Sequence, residues 1–153
     1  MTIDVGAKAP AFNLETDTGR VSLDALTGKA VVLYFYPKDD TPGCTNEGKA
    51  FSALASDFRK AGAVVIGCSK DSVKAHARFR AKYDLEVELA SDPEGKTIAA
   101  YGSWVEKSLY GRQYMGIERC TFLIDAAGVV RRVWRKVKVK GHAAAVFEAV
   151  NAI

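Results

Sequence analysis

Two short runs of strand-forming residues constrain this chain more than any other feature. Ala30-Val31-Val32-Leu33-Tyr34-Phe35-Tyr36 is apolar throughout, β-branched or aromatic, and of strand length. Ala63-Val64-Val65-Ile66-Gly67-Cys68-Ser69 reads as a second buried strand. Between them, Phe51, Leu54, Ala55 and Phe58 fall at i, i+3, i+4 and i+7, which is one face of a helix. Pro37, Asp39, Asp40, Pro42 and Gly43 make the segment from strand to helix a turn.

Other elements extend this alternation. Residues 11–23 read as a small hairpin around Asp17-Thr18-Gly19. Ser69 to Ser72 supply cap residues for a helix over 72–83, with Val73, Ala77 and Ala81 on one face. Val87–Ala90 is a short strand closed by Asp92-Pro93, and a short helix over about 94–101 follows. After a glycine-rich loop, Thr121–Asp125 and Val129–Val139 form a hairpin about Ala126-Ala127-Gly128. The last helix gathers Ala143, Val146, Phe147 and Val150. Strands alternating with helices, then a hairpin and a helix, predict a mixed central sheet with helices on both faces and an N-terminal β-hairpin extension. This is the element order of a thioredoxin-like α/β fold, expected as one domain over 1–153. On that architecture chemistry sits at the C-terminal ends of the parallel strands, where the 37–44 turn and Cys68 lie.

Cys44 occupies the first turn of the helix that follows the first apolar run. There it faces unpaired backbone N–H groups and the positive end of the helix dipole, which favour thiolate over thiol. The three cysteines, at 44, 68 and 120, show neither metal-ligand spacing nor a CxxC pair, so no metal and no structural disulfide are expected. A reducing compartment fits. The N-terminus, Met1-Thr2-Ile3-Asp4-Val5-Gly6-Ala7-Lys8, has no signal-peptide run, and the longest apolar run is far short of a membrane span, so the expectation is cytoplasmic. Net charge is +4. The densest basic stretch, Arg131 to Lys140, alternates Val133, Val137 and Val139 with Lys136, Lys138 and Lys140. That reads as a half-buried strand with a lysine-rich solvent face rather than a nucleic-acid surface. His76, among Lys74 and Arg78, and His142, near the start of the last helix, read as surface or cap residues.

These residues carry a resemblance. Pro37-x-x-x-Thr41-x-x-Cys44 resembles the active-site motif of the peroxiredoxins. Asp40-Thr41-Pro42-Gly43-Cys44-Thr45-x-Glu47 is similar to the peroxiredoxin Q subfamily, also called bacterioferritin comigratory protein. Gly6-x-x-Ala9-Pro10-x-Phe12, Ser69–Ser72, Trp104-x-Glu106-Lys107 and Tyr110 through Asp125 extend the likeness over nearly the whole chain.

The resemblance implies a thiol-dependent peroxidase without cofactor, in antioxidant defence. Cys44 would attack the O–O bond of hydrogen peroxide or an organic hydroperoxide and become a sulfenic acid. It implies Arg119 as the cation that favours the thiolate and holds peroxide oxygens. Thr41 would be a hydroxyl partner of the peroxide, and Pro37 a shield of the thiolate. Gly43 and Cys44 N–H groups would serve the leaving oxygen, with Glu47 holding the arginine. A peroxide sensor or relay is the alternative use of the same site. Resolving cysteines in the subfamily stand where this chain has Lys49 and Arg80. Cys68 and Cys120 remain as candidates. Cys68 is the better of the two because it ends a strand on the catalytic side, although it also reads as a core residue. The expected cycle is therefore a one-cysteine one, with thioredoxin, glutaredoxin or a small thiol as reductant, in a monomer or weak homodimer.

Overall fold

The computed structural model describes residues 3–153; Met1 and Thr2, the start of the stretch read for a leader, lie outside the described residues. In chain order the elements are β1 (Asn13–Thr16), β2 (Gly19–Ser22), β3 (Ala30–Phe35), α1 (Pro42–Ala53), α2 (Ala55–Lys60), β4 (Ala63–Ser69) and α3 (Val73–Tyr83). There follow β5 (Glu88–Ser91), α4 (Lys96–Ala100), β6 (Trp104–Leu109), β7 (Arg112–Ile117), β8 (Cys120–Ile124), β9 (Val130–Trp134) and α5 (His142–Asn151).

Seven strands form one mixed sheet in the order β2-β1-β5-β4-β3-β8-β9. β3, β4 and β5 run parallel at its centre, and antiparallel partners flank them on both sides. The two apolar runs therefore lie side by side, Val32 opposite Val65 and Phe35 opposite Cys68. Alternation along β3 sorts the core into two halves. Val32, Tyr34 and Tyr36 face one cluster with Phe51, Phe58, Phe79 and Val146, so α1, α2, α3 and α5 cover that side. Val31, Leu33 and Phe35 face the other, with Ile98, Tyr101 and Phe122, covered by the short α4 and the N-terminal segment. Helices thus lie on both faces, unevenly. Tyr34 stacks on Phe51 with ring centroids 4.6 Å apart. The ring also passes so close to Gly67 that a Cβ there would lie 2.7 Å from it, which is why β4 carries a glycine at its centre.

Four readings need correction. The face Phe51–Phe58 is not one helix: the chain breaks at Leu54 into α1 and α2. In α3 the buried residues are His76 and Phe79, whereas Ala77 and Ala81 are exposed. The buried face has the same helical spacing as the predicted one, and its bulkier aromatic residues bury more apolar area. The glycine-rich loop after α4 contains a two-stranded hairpin, β6 and β7, closed by Tyr110 and Gly111, both at positive φ as a type I′ turn requires. The final hairpin's second strand ends at Trp134 instead of Val139. Lys136, at φ +48°, turns the chain away from the sheet, and the alternating exposure up to Lys140 continues without strand pairing.

Candidate active site

β3 delivers the chain into a turn whose far end is the N-terminus of α1. Thr41 is the N-cap in extended conformation, Pro42 is the first helical residue, and Cys44 lies in the first turn. Thr41 does not cap the helix with its side chain; its Oγ1 donates to the Lys38 carbonyl at 2.8 Å. That bond uses the hydroxyl hydrogen and leaves the oxygen's lone pairs free to accept. The amides of Gly43 and Cys44 belong to the uncapped first turn.

Arg119, immediately before β8, reaches this turn from the neighbouring strand. Its Nη2 lies 3.4 Å from Cys44 Sγ, and its Nη1 donates to Glu47 Oε1 at 2.8 Å. Arg119 shares the parity of Thr121 and Leu123, so alternation brings it to the Cys44 side of the sheet. Its carbonyl accepts from Val137 N–H at 3.0 Å, which ties the basic stretch to the site. A Cβ on Gly43 would sit 3.1 Å from Arg119 Nη2, so the absent side chain leaves room for the guanidinium. Glu47 is 1% exposed, and burial, against the pull of Arg119, raises its carboxyl from 4.5 to about 7. Among the described residues, Glu47 Oε2 has no hydrogen-bond partner.

Cys44 itself is only 2% exposed and packs into the cluster on the helix-rich face. Pro37 is exposed at the start of this turn. Cys68 is fully buried in the cluster on the opposite face of the sheet, and burial pushes its thiol well above its ordinary value. Cys68 lies at the C-terminal end of a parallel strand, as expected, but its parity follows Phe35, not Tyr36, so its side chain enters the face away from Cys44. Cys120 pairs with Phe35 from the other side and shares that cluster, its thiol raised to about 11 chiefly by burial.

Neither histidine is a surface residue. His142 donates or accepts through Nε2 with Thr121 Oγ1 at 2.8 Å, beneath the strand that carries Arg119. Burial first, and Arg119 second, lower it to about 4, so it is neutral at physiological pH. His76 is fully buried and bonds to Asp39 in the 37–44 turn. A histidine with an aspartate-rich turn upstream was the available signal, but only the fold brings positions 39 and 76 together. Arg80 is not idle either: its guanidinium bonds Asp17 and the carbonyls of Leu85 and Val87, pinning α3 to the β1–β2 turn and to the approach to β5.

Residues 5–133 match the AhpC/TSA family. The chain belongs to that family, in its peroxiredoxin Q (Bcp) branch. Peroxiredoxin Bcp of Bacillus subtilis is 46% identical over 152 residues, covering 99% of this chain and 97% of the relative. A Coxiella burnetii protein named as a peroxiredoxin bcp is 56% identical, over 95% and 97% of the two chains. Among solved structures, the bacterioferritin comigratory protein of Xanthomonas campestris superposes with a TM-score of 0.90 at 45% identity, covering 98% of this chain and 96% of that one. That structure is described in terms of alkyl peroxide reduction. Xylella fastidiosa PrxQ gives 0.93 at 36% identity, over 99% and 98%. The Xanthomonas peroxiredoxin Q has also been solved with either of two cysteines changed to serine, positions separated by the same interval as Cys44 and Arg80 here.

Proposed function

We propose that this protein is a cytoplasmic thiol-dependent peroxidase that reduces hydrogen peroxide and organic hydroperoxides by a one-cysteine cycle. The observation that carries the reading is the contact of Arg119 Nη2 with Cys44 Sγ at 3.4 Å, at the open N-terminus of α1. Only the thiolate is a nucleophile, and a cation and helix dipole both stabilise the anion. The sulfur attacks one peroxide oxygen and the O–O bond breaks. Sulfur is oxidised to a sulfenic acid, and the leaving hydroxide or alkoxide takes a proton to become water or alcohol. Thr41 Oγ1, its hydrogen committed to Lys38, accepts the peroxide O–H and so orients the attacked oxygen. Arg119 and the Gly43 and Cys44 amides stabilise charge on the departing oxygen.

Recycling then needs a thiol from outside. Lys49 and Arg80 stand where the family resemblance implies resolving cysteines, and Cys68 and Cys120 are buried behind the sheet. A thiolate of thioredoxin, glutaredoxin or a small thiol attacks the sulfenic sulfur, releasing water and leaving a mixed disulfide. A second thiol resolves it. The experiment is one equivalent of peroxide followed by dimedone and intact mass. A dimedone adduct on Cys44 in the wild type, lost in Cys44→Ser, is expected. A 44–68 disulfide with no adduct refutes the one-cysteine cycle. Peroxide consumed at the wild-type rate by Cys44→Ser refutes the peroxidase assignment.

A further inference from the structure

Below the reactive turn lies a buried polar network that the reaction as described does not use. His76, in the first turn of α3, is 0% exposed. Its Nε2 lies 3.0 Å from the Ala90 carbonyl, which can only accept, so that nitrogen carries a hydrogen. Its Nδ1 is 2.7 Å from Asp39 Oδ2, and Tyr36 Oη donates to the other carboxyl oxygen at 2.6 Å. One proton lies between imidazole and carboxyl, and on either side it keeps the bond. Asp39 N–H donates to Asp71 Oδ2 at 2.9 Å, and Ser69 Oγ donates to the same oxygen at 2.6 Å. The next residue, Asp40, is held at φ +58° while Lys82 Nζ and Tyr83 Oη donate to its carboxylate. Two consecutive aspartates thus strap the turn onto α3 and the sheet.

We propose that the Asp39–His76 pair is the positioning device for the Thr41 hydroxyl. Asp39 fixes the Lys38–Asp39 peptide, the Lys38 carbonyl takes the Thr41 hydroxyl hydrogen, and the free lone pairs of Thr41 are thereby aimed at the peroxide. His76 touches no substrate. The inference rests on the peroxidase reading above. Arg119 approaches the sulfur from β8, a different element, so the Arg119–Cys44 contact does not depend on this pair. The signature is selective: peroxide chemistry needs Thr41 in place, whereas alkylation of the same sulfur does not. A core histidine that merely satisfies its own hydrogen bonds has no such selectivity.

The test compares second-order rate constants of Cys44 with hydrogen peroxide and with iodoacetamide in folded, reduced protein. In His76→Leu, which fills the space but removes the imidazole's bond to Asp39, the peroxide constant is expected to fall about 10- to 100-fold, the range for a displacement near 1 Å. The iodoacetamide constant stays within about threefold, since no Thr41 geometry enters that reaction. Asp39→Ala gives the same pattern and carries the test if His76→Leu does not fold. His76→Asn, whose amide can donate to Asp39 from the Nδ1 position, recovers most of the loss. A wild-type peroxide constant in a folded His76→Leu or Asp39→Ala protein overturns the proposal, as does an equal fall in both constants. Wild type reacting with peroxide no faster than a free thiol overturns the peroxidase reading itself, a separate result.

Discussion

Replacing Glu47 by glutamine changes how stability depends on pH, and the structure sets the size of the change. The carboxyl is 1% exposed, one oxygen holds Arg119 at 2.8 Å and the other has no partner among the described residues. Desolvation outweighs the arginine and the folded chain keeps this proton to about 7, against 4.5 for an unconstrained glutamate. Between those two values the folded state binds more protons than the unfolded one, so stability falls as pH rises through the window. From pH 5 to pH 8 the loss integrates to on the order of 2–3 kcal/mol. Glutamine keeps an acceptor for Arg119 and does not titrate. The difference in unfolding free energy, wild type minus Glu47→Gln, is therefore expected to drop by that amount between pH 5 and 8. Urea unfolding of both proteins under reducing conditions at several pH values measures it, other groups cancelling in the difference. A difference that stays flat within about 0.5 kcal/mol, the ordinary scatter of such non-interacting changes, refutes the raised carboxyl.

Gly43→Ala is expected to displace the guanidinium, because the new methyl would start 3.1 Å from Arg119 Nη2; the peroxide rate constant should fall while the fold survives, as far-ultraviolet circular dichroism would show. Thr41→Val keeps the shape and removes the acceptor, with an expected loss of about 10- to 100-fold in the peroxide constant measured by stopped flow. Arg119→Lys supplies one charge but cannot span Glu47 and Cys44 with a planar fork, so it should recover only a small part of the rate lost in Arg119→Ala under the same assay.

Legibility in the sequence followed the range of the forces involved. The turn from Tyr36 to Cys44 was readable because its signals are local: an apolar run, proline and glycine, then helical spacing. The parallel pairing of β3 with β4 followed from element order. The face of α3 was misread because small residues at 73, 77 and 81 matched the period as well as His76, Phe79 and Tyr83 did. Periodicity alone does not weigh side-chain volume. The β6–β7 hairpin was hidden by its turn: tyrosine at 97% exposure and positive φ stands where Asn-Gly or Asp-Gly is the usual signal. Asp39 and His76 are 37 positions apart, and no short-range pattern reports a pair at that separation.

The same sheet gives Cys44, the proposed nucleophile, surroundings unlike those of the other two cysteines. Cys68 and Cys120 flank Phe35 on adjacent strands, one through the parallel β4 and one through the antiparallel β8, so all three side chains share a face. That face is covered by Tyr101, Ile98 and the N-terminal segment, and burial there raises both thiols and disfavours the nucleophilic form. Cys44 is as inaccessible by area, at 2%, yet its surroundings differ in kind. It sits at a helix N-terminus rather than on a strand, and Arg119 arrives from the position just before β8, whose parity is opposite to that of Cys120. Cys120 also has a guanidinium nearby, Arg135 Nη1 at 3.6 Å, but its thiol donates to Glu118 Oε2 at 3.0 Å and it lies on a strand, away from the open amides of a helix N-terminus. A one-residue slip of β8 relative to its face would exchange Arg119 for Cys120 beside the sulfur. The register Phe35 to Cys120 is therefore as much a part of the proposed site as the cysteine itself.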